Sequence, residues 1–168
     1  MSKSELIFKG SSGCIFRPQI PCENSKKKRT KKRVSKLFVK KNKEYKIGLK
    51  IKKIPNHNKW TILWENICQS QNYENIMKNT DIKECLRSLN VNPDVVPNDF
   101  KFTLYQGLYG GLTLKNYSKK ILSYKTFNSN EEFIKMFLKI FKLLDNIFYG
   151  LTVLNKYNIC HHDVSTSN

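Results

Sequence analysis

The sequence predicts an α+β fold, on two observations. Short β-prone segments bounded by turn residues fill the first two thirds of the chain, and one long amphipathic helical pattern occupies most of the remainder. With 168 residues, 39% of them hydrophobic and 12% aromatic, the chain is long enough to bury a core and too apolar for a disordered tail. No apolar run approaches the roughly 20 residues of a membrane span.

In chain order, Glu5-Leu6-Ile7-Phe8 and Cys14-Ile15-Phe16 flank Gly10-Ser11-Ser12-Gly13, which predicts a hairpin ended by Pro18 and Pro21. Residues 22–33 form a basic loop, and Val34 to Val39 read as a strand carrying Lys36. Ile47, Ile51 and Ile54 at i, i+4 and i+7 predict a helix over 41–54, stopped by Pro55. Residues 60–68 and 100–105 read as strands. The polar stretch 69–99 between them holds a short helix near 79–88. Gly107, Gly110 and Gly111 then break the chain.

The helix predicted over 130–156 has Phe133, Phe137, Ile140, Leu144, Ile147 and Leu151 on one stripe, with a Ser129/Glu132 capping box at its start. A stripe this wide calls for burial against something larger, or for a partner that covers it. Tyr157 to Cys160 reads as a short apolar strand.

Charge is concentrated at the N-terminal end. Residues 1–60 hold 19 Lys/Arg against 3 acids, and residues 61–168 hold 12 against 10. The densest run, 26–33, suits polyanions and also reads as a nuclear-localisation signal. A solvated loop accounts for it equally well, and no nucleic-acid motif accompanies it, so nucleic acid is not the favoured partner. The five cysteines, at 14, 22, 68, 85 and 160, form no CxxC pair. Together with an N-terminus that has no secretory h-region, this predicts reduced thiols in an intracellular protein with no disulfide framework.

Four motifs carry chemistry. His161-x-Asp163-x-x-x-x-Asn168 matches the catalytic-loop pattern H-R-D-L-x-x-x-N, in which an aspartate accepts a hydroxyl proton and an asparagine reaches a magnesium ion. Gly10-Ser11-Ser12-Gly13-Cys14-Ile15 matches the last part of G-x-G-x-x-G-x-V, with Phe8 in the place of the first glycine. Lys36 stands on an otherwise apolar strand and needs a partner there. Glu44 is the only acid near the start of the next helix, at a shorter separation than is usual for such a pair. Gly107 to Leu114 directly follows the 100–105 strand and resembles a kinase hinge, which implies that the backbone near 106–109 would bind an adenine edge.

In this order the four motifs resemble the protein-kinase family, most nearly the divergent serine/threonine kinases of large DNA viruses. The resemblance implies a kinase-like N-lobe over 1–106, an antiparallel sheet plus one helix. It also implies a hinge, a long helix and the catalytic loop of an incomplete C-lobe over 107–168. It implies ATP and magnesium as cofactors and a protein substrate phosphorylated on Ser or Thr. Asp163 would then be the base, Asn168 a magnesium ligand and His161 a support for the loop. Gly10, Gly13, Ile15, Lys36 and Glu44 would form the ATP site. A viral origin would place the protein in the host cytoplasm or the virion. His162 stands where the family has arginine and Ser165 where it has lysine, and no D-F-G segment follows Asn168. This chain by itself is therefore expected to be inactive, either a truncated kinase or a pseudokinase that works by binding a nucleotide or a partner.

Overall fold

The computed structural model describes residues 3–25, 30–39, 43–111, 113–122 and 129–160. The fold is α+β, built on a five-stranded antiparallel sheet. The strands are β1 (Glu5–Gly10), β2 (Gly13–Arg17), β3 (Arg33–Phe38), β4 (Trp64–Gln69) and β5 (Thr103–Leu108). Their spatial order is β1-β2-β3-β5-β4. The helices are α1 (Glu44–Ile51), α2 (Tyr73–Ile76), α3 (Thr80–Ser88), α4 (Leu114–Leu122) and α5 (Asn130–Lys156). The chain divides into two compact units, 1–53 with 62–109 and 54–61 with 110–168. Among the described residues no helix is long and apolar enough to cross a membrane.

In the first unit, β1 and β2 form the predicted hairpin around Ser11-Ser12, with Gly10 opposite Gly13. Partners directly across an antiparallel ladder share a face of the sheet. One face is therefore laid down by Cys14, Leu37, Leu104 and Cys68, which are opposite one another in turn. The other face is laid down by Ile15, Lys36, Tyr105 and Ile67.

The core sits on the first face. Cys14, Phe16, Leu37 and Leu104 pack with Tyr73, Ile76, Ile82, Cys85, Leu86 and Phe102. The segment that reads as polar and irregular in sequence thus supplies five of the eleven described core residues. Its apolar residues are few but correctly spaced: Ile82, Cys85 and Leu86 at i, i+3 and i+4 make the inward stripe of α3. The Asn79 side chain caps this helix by accepting the Asp81 N–H. Asn79 Nδ2 also donates to Ser4 O at 2.6 Å, and Asp81 Oδ2 accepts the Leu6 N–H at 2.9 Å, so α3 is tied to β1 as well.

The cysteines correct the expectation of free thiols. Cys14–Cys85 and Cys22–Cys68 are disulfides, and Cys160 is free and exposed. The bridged partners are 71 and 46 residues apart, a relation that no local spacing encodes. Loops of this length make each bridge worth roughly 2–4 kcal/mol. Cys14–Cys85 staples α3 to β2, and Cys22–Cys68 staples the segment after β2 to β4. That segment is also held from beneath: buried Ser35 Oγ accepts the Ile20 N–H at 2.8 Å, and Gln106 Nε2 donates to Ile20 O at 2.7 Å.

Three further expectations change. The helix after β3 is only eight residues long and none of them is buried; Ile47 is 46% exposed, and Ile54 reaches a buried position only beyond the helix end. Gly107 lies inside β5 instead of breaking the chain. Arg33 begins β3, so it is not part of the basic loop, and it pairs with Glu65 at 2.5 Å. Lys26 to Arg29 lie outside the described residues.

In the second unit, Ser129 Oγ accepts the Glu132 N–H at the start of α5, as predicted. Trp60 lies against Gly150, where an added Cβ would stand 3.1 Å from the indole ring. Along the 27 residues of α5 only Gly150 and Leu154 are buried. Phe133 stacks on Phe137, whose ring meets Phe141 at a tilt, and Ile134, Leu138 and Phe148 are more than half exposed. The segment expected as a strand after α5 is instead its cap. Asn158 takes φ 55°, and the Ile159 N–H reaches back to Leu154 O at 3.0 Å.

Two glycines make opposite predictions. A Cβ on Gly13 would overlap the Leu37 carbonyl oxygen of the neighbouring strand. Gly13→Ala should therefore cost about 1–3 kcal/mol, as overpacking does. Gly48 lies inside α1 with nothing within 4 Å of a Cβ. Gly48→Ala should add about 0.5–1 kcal/mol. Urea unfolding of the two variants checks both signs.

Candidate functional site

The sheet face opposite the core carries the charged chemistry. Lys36 projects from β3, where an uncompensated ammonium would lose hydration without recompense. It is neutralised by Glu44, at the first position of α1, with Nζ donating to Oε2 at 2.6 Å. The Lys36 side chain is 16% exposed and that of Glu44 36%. Trp64 Nε1 donates to the other carboxylate oxygen, Oε1, at 2.6 Å. One carboxylate thus joins β3, α1 and β4. The same Lys36 ammonium lies 4.9 Å from the Phe38 ring centroid, within cation–π range.

Around this triad runs an aromatic floor. Tyr105 sits beside Lys36 in the β3–β5 register, and its ring lies 4.4 Å from that of Phe38 and 5.6 Å from that of Tyr45 on α1. Trp64 is 6.3 Å from the same ring. Burial pushes the Tyr105 hydroxyl above the ordinary tyrosine value of 10.0, and the Glu44 carboxylate adds to the rise. Ile15 completes the row on the far side of Lys36.

The fold brings Lys36, Glu44 and Ile15 together, as the sequence grouping requires. Gly10 and Gly13 stand at the hairpin end of the same two strands, β1 and β2. At Gly13 the packing of β2 on the Leu37 backbone by itself accounts for the glycine. Phe8, in the place of a first glycine, is 42% exposed. At the end of β5 the Tyr109 N–H donates to Lys32 O at 2.9 Å, so this amide is already engaged, and the Arg17 guanidinium stacks 3.8 Å from the Tyr109 ring centroid. His161, Asp163 and Asn168 lie outside the described residues. Among the described residues no group of three or more His, Cys, Asp or Glu side chains is placed to hold a metal ion.

Sequence reasoning missed Trp64 and Tyr105. Both were read only as strand residues. The available signal was that a carboxylate opposite one lysine keeps a second oxygen that can take a donor. No protein-family model matches the chain, and no match was found among curated proteins or solved structures.

Two measurements test this geometry. Glu44→Gln keeps an acceptor for Trp64 but leaves the Lys36 charge unbalanced, and it should cost about 1–3 kcal/mol in chemical denaturation. Above pH 10 the unfolded chain releases its tyrosine protons while the native state retains that of Tyr105, so the unfolded state binds fewer protons and stability falls as pH rises. Tyr105→Phe should flatten that alkaline limb, leaving the fall due to Tyr73, whose hydroxyl is also raised by burial.

Proposed function

We propose that this chain is a protein-kinase-like domain that binds a purine nucleoside triphosphate on the sheet face bearing Lys36. The observation that carries the reading is the Lys36–Glu44 ion pair, a third-strand lysine neutralised by the first residue of the following helix. The strand order β1-β2-β3-β5-β4 and the position of Ile15 beside Lys36 support it. In this reading ATP, with magnesium, supplies the phosphoryl group and the countercharge. Lys36 holds the α- and β-phosphates by direct charge, and Glu44 fixes the ammonium in place while Trp64 fixes Glu44. Ile15 supplies an apolar wall for the base. Gly10 and Gly13 keep side chains away from the phosphates. Asp163 accepts the proton of a Ser or Thr hydroxyl on a protein substrate, His161 supports its loop, and Asn168 is the magnesium ligand.

A second reading is a pseudokinase that binds nucleotide without transferring phosphate. Two substitutions favour it: His162 in the place of arginine, and Ser165 in the place of the lysine that would neutralise the transferred group. The exposed apolar side chains of α5 favour a protein partner that covers 130–156 in either reading. The ion pair of Arg33 with Glu65 occupies one end of the basic run and weakens the nucleic-acid alternative.

Nucleotide binding is measured by the shift in melting temperature on titration with MgATP. Lys36→Ala should weaken it roughly tenfold to a hundredfold, the size of a lost charge-assisted contact; undiminished binding by this variant would overturn the assignment. Asp163→Asn should abolish phosphoryl transfer while leaving binding intact. A melting shift in the native chain with no transfer to any acceptor protein selects the second reading.

A further inference from the structure

The two disulfides differ in their access to solvent, through one residue above all: Cys68 is partly exposed, whereas its partner Cys22 is 6% exposed. Cys14 and Cys85 are both 0% exposed, sealed between β2 and α3 inside the core. The other bridge lies at the β4 margin of the sheet. There Cys22 and the partly exposed Cys68 line an open hollow of about 780 Å³, together with Asn24, Asn66 and Gln69. Exchange requires a thiolate to reach a disulfide sulfur, so access separates labile bridges from inert ones.

We propose that Cys22–Cys68 is a thiol-exchange site for small peptide-like thiols of the glutathione class, while Cys14–Cys85 is a closed structural bridge. The polar amide side chains of the hollow suit the peptide groups of such a molecule. The thiolate attacks Cys68 Sγ, which belongs to the more exposed residue. A bond forms between the incoming sulfur and Cys68, the Cys22–Cys68 bond breaks, and Cys22 leaves as a thiolate that takes a proton from water. A second small thiolate then attacks the small-molecule sulfur of this mixed disulfide. It releases the oxidised small disulfide and a Cys68 thiolate, which is protonated in turn. Two electrons pass to the protein bridge from two thiols, and the oxidised small disulfide drives the reverse reaction.

Opening this bridge has a local consequence. Cys22 fastens the segment that leads into the basic run onto β4, a strand at the edge of the sheet. Beside the bridge, the contact of Cys22 with Ser70 and the Glu23 N–H donated to Gln69 O at 2.9 Å hold the two together. The exchange state of one accessible bridge thus sets how firmly residues 22–25 are tied to the β4 edge.

The test uses the full chain, oxidised with glutathione disulfide and then exposed to reduced glutathione under native conditions. Free thiols are trapped by alkylation over time and located by peptide mass spectrometry. The expected result is that Cys22 and Cys68 become alkylated at least about tenfold faster than Cys14 and Cys85, with the transient glutathione adduct on Cys68. Hydrogen exchange at Glu23 should quicken in step, with exchange in the core strands unchanged. The proposal is overturned if both bridges open at one common rate, if Cys14–Cys85 opens first, or if neither opens before the protein is denatured. Cys22→Ser should collect a stable glutathione adduct on Cys68. Should that variant fail to fold, the wild-type rates decide the matter alone.

Discussion

A lysine on the middle strand of a sheet must be neutralised where it stands, and this constraint organises one whole side of the first unit. The neighbours of Lys36 across the ladder are Ile15 on β2 and Tyr105 on β5, neither a carboxylate, so its partner comes from α1, off the sheet. Glu44 brings α1 there, and Trp64 then brings β4 to the same carboxylate. No side chain of α1 is buried, so the short helix has no apolar anchor of its own. It is placed by a charge, by a shared acceptor and by Tyr45 against Tyr105. Polar contacts of this kind specify position more than they add stability, because desolvation offsets much of the Coulombic gain.

The opposite face of the same strands obeys a different logic. There the side chains are mostly apolar or cysteine, with Ser35 and Gln106 buried among them, and the covering layer comes from residues 70–102, inserted between β4 and β5. Its helices are too short to be stable alone. They are held by Ile82 and Leu86 in the core, by the hydrogen bonds of Asn79 and Asp81 to the first strand region, and by the Cys14–Cys85 bridge. The sheet thus separates its tasks: one face is fixed by burial and covalent closure, and the other is left free to carry charge. β3 shows this in three successive residues, with Ser35 and Leu37 fully buried on one side and Lys36 on the other.

Where the determinant was local, the sequence was legible. The Gly10–Gly13 hairpin, the strand around Lys36, α3, and the Ser129 cap of α5 all follow from patterns within a few residues. The pairing of Lys36 with Glu44 was also legible, because only one acid stands near the start of that helix. What stayed hidden was long-range. The disulfide partners lie 46 and 71 residues apart, and Trp64 reaches Glu44 only after β4 has crossed to the far side of β5. Ile47, Ile51 and Ile54 imitate a buried helical stripe, yet the helix ends at Ile51 and its inward side is turned by Glu44 and Tyr45. Periodicity reports which residues share a face; it does not report whether anything covers that face.

Gly13 shows how one residue serves two arguments at once. A glycine in a hairpin that covers phosphates and a glycine on which a neighbouring strand rests look the same in sequence. Here the Leu37 carbonyl oxygen already requires the missing Cβ, so this glycine alone does not argue for a ligand. The case for a nucleotide therefore rests on Lys36 and its pairing with Glu44. An apolar residue at that position would fill the row between Ile15 and Tyr105 and make the salt bridge unnecessary. The Lys36–Glu44 pair is only partly buried, and desolvation offsets part of its Coulombic gain. A lysine, a glutamate and a tryptophan N–H joined on this face are the feature on which the proposed nucleotide site rests.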